Sequence, residues 1–278
     1  MERERLTITL KKEIVGAIDR MVDGAKIRNR SHAIEYLLSK SLFPQHTKVL
    51  ILTGGEGVKL RPFTYEMPKA LLPVHNKPLL QHTIEFMAKN GFKDIIISVG
   101  YLGNKIKEYF KDGSGFGVRI TYIDQDGKES GTAQPLFQAK NSLMDSPFVL
   151  WYGDVLAEPD IFDMLEFHKS NKNIITMGIT SVDKSSDWGV VNLKGSKVIE
   201  FSERPKEETG ISHLINAGIY IMNPEIFEHM KAGSKSLEVD ILTKLAKENN
   251  LSGYSLSGQW FDVGSLDSYE KAVKEWKK

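Results

Sequence analysis

Three glycines stand close together in Thr53-Gly54-Gly55-Glu56-Gly57, directly after the apolar run Val49-Leu50-Ile51-Leu52. Glycine lets backbone N–H groups approach an anion closely, which is what a phosphate site needs. Lys59, Arg61 and Lys69 add positive charge within the same segment. Such charge neutralises a polyphosphate and stabilises the transition state of a phosphoryl-type transfer. Two familiar phosphate loops are excluded. The Gly-Lys-Ser/Thr ending of a Walker loop is missing. A dinucleotide fingerprint needs a third glycine where Leu60 stands.

The elements that would carry this chemistry can be read from periodicity. Residues 49–52 form a continuous apolar run, the pattern of a strand buried on both faces. Residues 78–90 predict a helix, Asp94–Val99 a second buried strand, Lys105–Phe110 a helix and Val118–Ile123 a strand. Gln134–Leu143 reads as a helix and Phe148–Trp151 as a strand. Short strands follow at Ile174–Ile179, Gly189–Leu193, Val198–Phe201 and Ala217–Ile221, then helices at 223–231, 238–249 and 267–276. Alternation of strand and helix predicts an α/β domain around a mainly parallel sheet flanked by helices.

The long stretch TGGEGVKLRPFTYEMPKALLPVHNKP, residues 53–78, resembles the signature of the sugar-1-phosphate nucleotidylyltransferases, GGxGxRLxPxT…PKxLxPVxxKP. The resemblance runs from about Lys48 to Ala272. It implies the Rossmann-like nucleotide-diphospho-sugar transferase fold over 48–278, with a nucleoside triphosphate and a sugar 1-phosphate as substrates. One departure is plain: Val58-Lys59 stands where the family usually has Thr-Arg. Lys59 keeps the charge on the β- and γ-phosphates but loses the bidentate fork, so turnover is slower or Arg61 shares the role.

Further resemblances follow in chain order. Ser130-Gly131-Thr132-Ala133 is similar to the family's segment near the nucleotide base, and Gln125 is counted with it. Gln134 follows, placed either to bond a base edge or to lie solvated in a first helical turn. Asp154, in Tyr152-Gly153-Asp154-Val155, and Asp262, in Trp260-Phe261-Asp262-Val263-Gly264, match the two carboxylates that hold magnesium. Two oxygen ligands completed by substrate phosphates and water suit Mg²⁺. Gly189, Glu203, Arg204 and Asn216 fall where the family binds the sugar phosphate, Arg204 replacing its usual lysine. The resemblance implies direct in-line attack of the sugar phosphate on the α-phosphorus, with Lys59, Arg61, Lys69 and Asp154 as the catalytic set. No long β-helix is appended after the last helix, which points to a single transferase activity.

Residues 1–47 differ from the rest. They hold nine Lys/Arg against six Asp/Glu, while the remainder holds 28 against 30. Arg5-Leu6-Thr7-Ile8-Thr9-Leu10 alternates polar and apolar, as a half-buried strand does. A helical stripe follows at Ile14, Ala17, Ile18, Met21 and Val22. Ser31 is the expected N-cap of a second helix bearing Ala33, Ile34, Leu37 and Leu38. One strand cannot bury its own apolar face, so a second copy of the chain is the expected partner, as a two-stranded ribbon in a homodimer. With RLTITL and Arg28–Ile34, the segment resembles the ribbon-helix-helix family, although His32 stands where that family usually has an acidic residue. The domains are expected at 1–43, with a linker over 44–47 and the transferase over 48–278. That family's ribbon enters DNA, which would put Arg5, Thr7 and Thr9 at base edges. The same head could equally serve only to dimerise the chain.

Composition is that of an ordinary globular protein, with 41% hydrophobic and 26% charged residues. There is no cysteine, hence no disulfide and no thiolate metal site. No apolar run is long enough for a membrane span, and MERERL lacks the core of a signal peptide. These features predict a cytoplasmic protein. The competing readings are a DNA-binding regulator that senses a nucleotide sugar, and an enzyme that is also a repressor.

Overall fold

The computed structural model describes residues 4–25, 27–42, 44, 46–125, 131–206, 212–231 and 233–277. The chain divides into two compact units, Met1–Phe43 and Pro44–Lys278.

In the smaller unit, helices α1 (Lys12–Met21) and α2 (Arg30–Leu42) enclose Ile18, Ile27 and Ala33. Arg30 grips Asp19 with two hydrogen bonds, from Nε at 2.5 Å and from its terminal nitrogen at 2.8 Å. The cap of α2 is Asn29 rather than Ser31: Asn29 Oδ1 accepts from the His32 N–H at 2.9 Å. Asn and Ser cap equally well, and the helix simply begins two residues earlier than the serine suggested. Residues 4–10 join no strand ladder, and Leu6 and Ile8 are 81% and 54% exposed. An expected strand with no neighbour in its own chain has no ladder to join.

The larger unit is built on the strands β1 (Val49–Leu52), β2 (Pro73–Val74), β3 (Lys77–Pro78), β4 (Asp94–Val99), β5 (Arg119–Asp124), β6 (Phe148–Tyr152) and β7 (Val155–Ala157). They continue with β8 (Ile175–Ser181), β9 (Gly189–Lys194), β10 (Lys197–Glu203), β11 (Leu214–Met222), β12 (Leu251–Ser255) and β13 (Trp260–Asp262). Nine of these form one sheet in the order β5-β4-β1-β6-β11-β8-β12-β10-β9. Two short pairs, β13-β7 and β2-β3, stand apart from it.

The expectation of a mainly parallel sheet needs correction. The β5-β4-β1-β6 half and the β8–β12 pair are parallel, but β11 runs antiparallel to both β6 and β8, and β10 is antiparallel to β12 and β9. A strand covered on both faces reads as a continuous apolar run whatever its direction, so the pattern at 214–222 did not show its polarity.

Both faces of the sheet are indeed covered. Val49 and Ile51 enter one apolar cluster with Leu80, Ile84 and Met87 of α3 (Leu79–Lys89) and Ile106 and Phe110 of α4 (Gly103–Phe110). Leu50 enters the other, with Leu136 of α5 (Ala133–Gln138) and Leu143 of α6 (Lys140–Leu143). The single helix expected at 134–143 is thus two, broken at Ala139. A helix unforeseen from the sequence, α7 (Ile161–Asn171), starts at Asp160, whose side chain accepts from the Asp163 N–H. The C-terminal segments are a wide π-helical turn, Glu238–Leu242, running into α8 (Thr243–Lys247), and then α9 (Leu266–Glu275) with a capping box at Ser265 and Ser268. No helix among the described residues is long and apolar enough to cross a membrane.

His168 ties α7 to the sheet. Its ring nitrogens lie 2.9 Å from Thr176 Oγ1 and 3.1 Å from Asn223 Oδ1, and the residue is buried. Burial, foremost, holds its pKa below the usual 6.5. The unfolded chain therefore takes up a proton that the folded one refuses. The stability that neutral His168 confers is complete above pH 6.5 and drains away as pH falls below it. Melting temperatures measured from pH 7.5 to pH 5.5 should fall for the wild type and fall less for His168→Gln; parallel profiles would refute this role.

Candidate functional site

The parallel half of the sheet sends the carboxyl ends of β1, β4, β5 and β6 to one edge. There Leu52, Val99, Asp124 and Tyr152 line a cleft of about 710 Å³, together with Gly54, Gly55, Gly100, Tyr101, Gln125, Gly131, Thr132 and Asp154. Ligands of open α/β sheets bind at this edge, where the chain order reverses about the first strand. The glycine loop forms one wall. A Cβ on Gly54 would stand 2.1 Å from Gln125 Oε1, so a larger residue there would displace the Gln125 amide from its place over the loop. Gln125 Nε2 in turn donates to Ser98 Oγ at 3.1 Å. Gly57 O accepts from Thr64 Oγ1 at 2.8 Å, which closes the loop onto the turn after it. Gly131, with φ of +58°, forms the opposite wall; a Cβ there would stand 2.0 Å from the Lys235 carbonyl oxygen.

Asp154, which lines this cleft, accepts at Oδ2 from Lys69 Nζ at 2.6 Å. Asp154 sits in the turn between β6 and β7. Asp262 is brought beside it because β13 pairs antiparallel with β7, Asp262 opposite Val155, and the Val263 N–H donates to the Asp154 carbonyl at 2.9 Å. Trp188 Nε1 donates to Asp262 Oδ2 at 3.0 Å. Burial and then the charge of Asp154 push the Asp262 carboxyl up to about 6, against the pull of Lys69 and the Trp188 hydrogen bond. Burial works against the Lys69 ammonium, yet Asp154 and Asp262 hold its pKa above the usual lysine value. The site carries more negative charge than Lys69 compensates.

A second cavity of about 250 Å³ adjoins the first; Thr132, Tyr152 and Asp154 line both. Its other walls include Trp188 and Gly189 at the start of β9, Glu203 and Arg204 at the end of β10, Asn216 on β11, Glu238 and Asp262. The Arg204 N–H donates to the Trp188 carbonyl at 3.1 Å, and its side chain lies 3.5 Å from Glu203. Asn216 Nδ2 donates to the Tyr220 hydroxyl, Tyr220 to Tyr152 at 3.3 Å, and Tyr152 to Glu238. Burial, followed by the Glu238 charge, keeps both tyrosines protonated, with pKa values raised well above 10.

The structure thus brings Gly54, Gly55, Gln125, Gly131, Thr132, Asp154, Asp262, Gly189, Glu203, Arg204 and Asn216 to two adjoining cavities, with Lys69 bonded to Asp154 behind them. Others stand aside. Lys59 is exposed on a 3₁₀ turn, Val58–Leu60, and lines neither cavity. Arg61 pairs with Glu56 at 3.1 Å and lies over the Tyr65 ring, so its charge is already partly used. Gln134 is half-buried in the first turn of α5 and lines neither cavity. Arg5, Thr7 and Thr9 are exposed in the other unit. Sequence reasoning missed Glu238. Between Leu237 and Val239 it reads as the polar side of a helix, and nothing local marks it as facing a cavity.

Comparison with known proteins fits this geometry. The family model for nucleotidyl transferases matches residues 48–278. A mannose-1-phosphate guanyltransferase of Candida glabrata is 38% identical over 78% of this chain and 61% of its own length. A UTP–glucose-1-phosphate uridylyltransferase of Synechocystis is 32% identical over 82% of this chain and 62% of its own. The chain therefore spans about three fifths of the length of the curated relatives it matches. A crystal structure of a Bacillus anthracis protein assigned as a glucose-1-phosphate thymidylyltransferase superposes with a TM-score of 0.74 at 30% identity, covering 82% of this chain and 94% of that one. With its glycine loop, its paired aspartates and a family match over residues 48–278, the chain belongs to the nucleotidyl transferase family.

Proposed function

We propose that this chain condenses a nucleoside triphosphate with a sugar 1-phosphate, releasing pyrophosphate, and that it uses Mg²⁺. The observation that carries this reading is Asp154, which lines both cavities, bonded to Lys69 and set beside Asp262 of the smaller one. The larger cavity takes the triphosphate, against the Gly54–Gly57 loop and beside Gln125, Gly131 and Thr132. The smaller takes the sugar phosphate, among Gly189, Glu203, Arg204 and Asn216.

The donor set fits a hard dication. No group of three or more His, Cys, Asp or Glu that could hold a metal occurs among the described residues, so a site here is a two-carboxylate one completed by substrate oxygens and water. The surplus negative charge at Asp262 is what such a cation relieves. Asp154 and Asp262 would hold it, and when bound it supplies charge neutralisation at the phosphates. The protein's own share is to bring two anions together in line. A sugar phosphate oxygen is already anionic at neutral pH, so it attacks the α-phosphorus without a general base. The new O–P bond forms as the bond to the β-phosphate oxygen breaks, and pyrophosphate carries off the electron pair. Lys69 bears on the α-phosphate. Lys59 and Arg61 reach the leaving pyrophosphate only if they turn inward, Arg61 giving up Glu56.

The relatives' names make GTP with mannose 1-phosphate and UTP with glucose 1-phosphate the first pairs to assay. The apolar face of residues 6–10 favours a further reading of the smaller unit, a ribbon shared by two copies of the chain. No observation favours DNA contact over dimerisation alone, since Thr7 and Thr9 lack the bidentate reach that Arg5 has.

Asp154→Asn should abolish pyrophosphate release, a loss of about a thousandfold or more, with an unchanged melting curve; retained turnover sinks the assignment. Pyrophosphate release from no pair in a full screen would overturn the reading of the reaction. Trp188→Phe removes the donor that orients Asp262 and should weaken Mn²⁺ binding about 10–100-fold, read by the paramagnetic signal of free Mn²⁺. Ile8→Asp should convert a dimer into monomers in light scattering; an unchanged mass would remove the ribbon.

A further inference from the structure

Glu238 occupies the wall of the smaller cavity without belonging to any motif of the sequence. It is firmly held. Thr132 Oγ1 donates to its Oε2 at 2.7 Å, Ser236 Oγ to the same oxygen at 2.8 Å, and the Tyr152 hydroxyl to Oε1. The Leu237 N–H donates to Thr132 Oγ1 at 2.9 Å, locking that bridge to the chain. A carboxylate offers about four lone-pair sites. Oε2 is fully engaged, and Oε1 keeps an acceptor site for the cavity. Glu203 faces the same space, and after burial the charge of Glu238 is the main reason its pKa is raised. Arg204 is the one cation lining this cavity among the described residues, and its side chain is 68% exposed.

We propose that Glu238, acting with Glu203 across the smaller cavity, makes the site select a neutral, hydroxyl-rich hexose and reject sugar acids. This rests on the reading that the cavity takes the sugar of a sugar 1-phosphate. Ring hydroxyls donate to both carboxylates, in charge-assisted hydrogen bonds. The 1-phosphate charge would be met by Arg204 and by the cation that Asp154 and Asp262 would hold. A carboxylate on the ring has no such partner; it would face two fixed acceptors of its own sign in about 250 Å³. Like charges at that range cost at least about tenfold in affinity. Glu238 is thus a specificity-determining residue, and the Tyr152–Tyr220–Asn216 relay shares its hold on the sugar side.

The test is calorimetric titration of the full chain, with Mg²⁺, by matched pairs: glucose 1-phosphate against glucuronic acid 1-phosphate, and mannose 1-phosphate against mannuronic acid 1-phosphate. The wild type should bind its preferred hexose at least about tenfold tighter than the matching acid. In Glu238→Gln the hexose should weaken by about tenfold and the gap to the acid should narrow. Equal wild-type affinity for hexose and acid overturns the inference while leaving the transferase reading standing. An unchanged hexose-to-acid ratio in a folded Glu238→Gln protein also overturns it. Failure of every sugar 1-phosphate to bind overturns the transferase reading and this inference together. The wild-type comparison needs no variant, so the inference stays open to refutation even where Glu238→Gln misfolds.

Discussion

Asp154 and Asp262 repel each other in a partly buried place, with the Lys69 ammonium on one of them. After burial, the charge of Asp154 is the strongest influence raising the Asp262 pKa. Left to themselves the two carboxylates would part. They are held by backbone: the β7–β13 ladder fixes Asp262 opposite Val155, and the Val263 N–H binds the Asp154 carbonyl. The Trp188 indole then fixes the rotation of the Asp262 carboxylate. The fold thus uses rigidity to keep a charge arrangement that its own electrostatics oppose. Strain of that kind is expected where binding an oppositely charged ligand is the purpose.

The change of strand direction in the middle of the sheet serves the same end. The four parallel strands on one side end together and leave a crevice beyond their carboxyl ends. On the other side, β9, β10 and β11 meet in antiparallel register. They deliver Gly189, Glu203 and Asn216 to one small space. Tyr152 at the end of β6 stands at the seam and lines both cavities. One continuous sheet therefore carries two unlike binding surfaces with no hinge between them, and both reach Asp154.

Much of this was legible in the residues, and the failures have physical causes. The strands at 49–52, 94–99 and 148–152 announce themselves because both faces are buried, and the glycine loop because three glycines follow the first of them, Gly57 with a φ of +63°. Asp154 and Asp262 could be named as partners only through resemblance, since 107 residues separate them and no spacing rule connects them. Strand direction was legible in the parallel β5-β4-β1-β6 half but not at β9, β10 and β11. The cap at Asn29 was missed because a better-known serine lay two residues on. Glu238 was missed because its importance arises from Thr132 and Tyr152, both about a hundred positions earlier. Arg61 read as a free cation, and only three dimensions show that Glu56 already holds it.

The strand order also governs how the chain can be made. β11 separates β6 from β8, yet it is synthesised after β8, β9 and β10. A growing chain that has completed β6 must keep one side of that strand waiting through more than sixty further residues before its neighbour exists. At about 5–20 residues per second this lasts several seconds, with a row of unpaired amides and carbonyls open to any stray strand. β12 then has to enter between β8 and β10, already linked to each other in sequence by β9. Asp262 comes later still. A ribosome therefore carries an adhesive half-sheet through about a quarter of the chain's synthesis, before the second aspartate of the site exists.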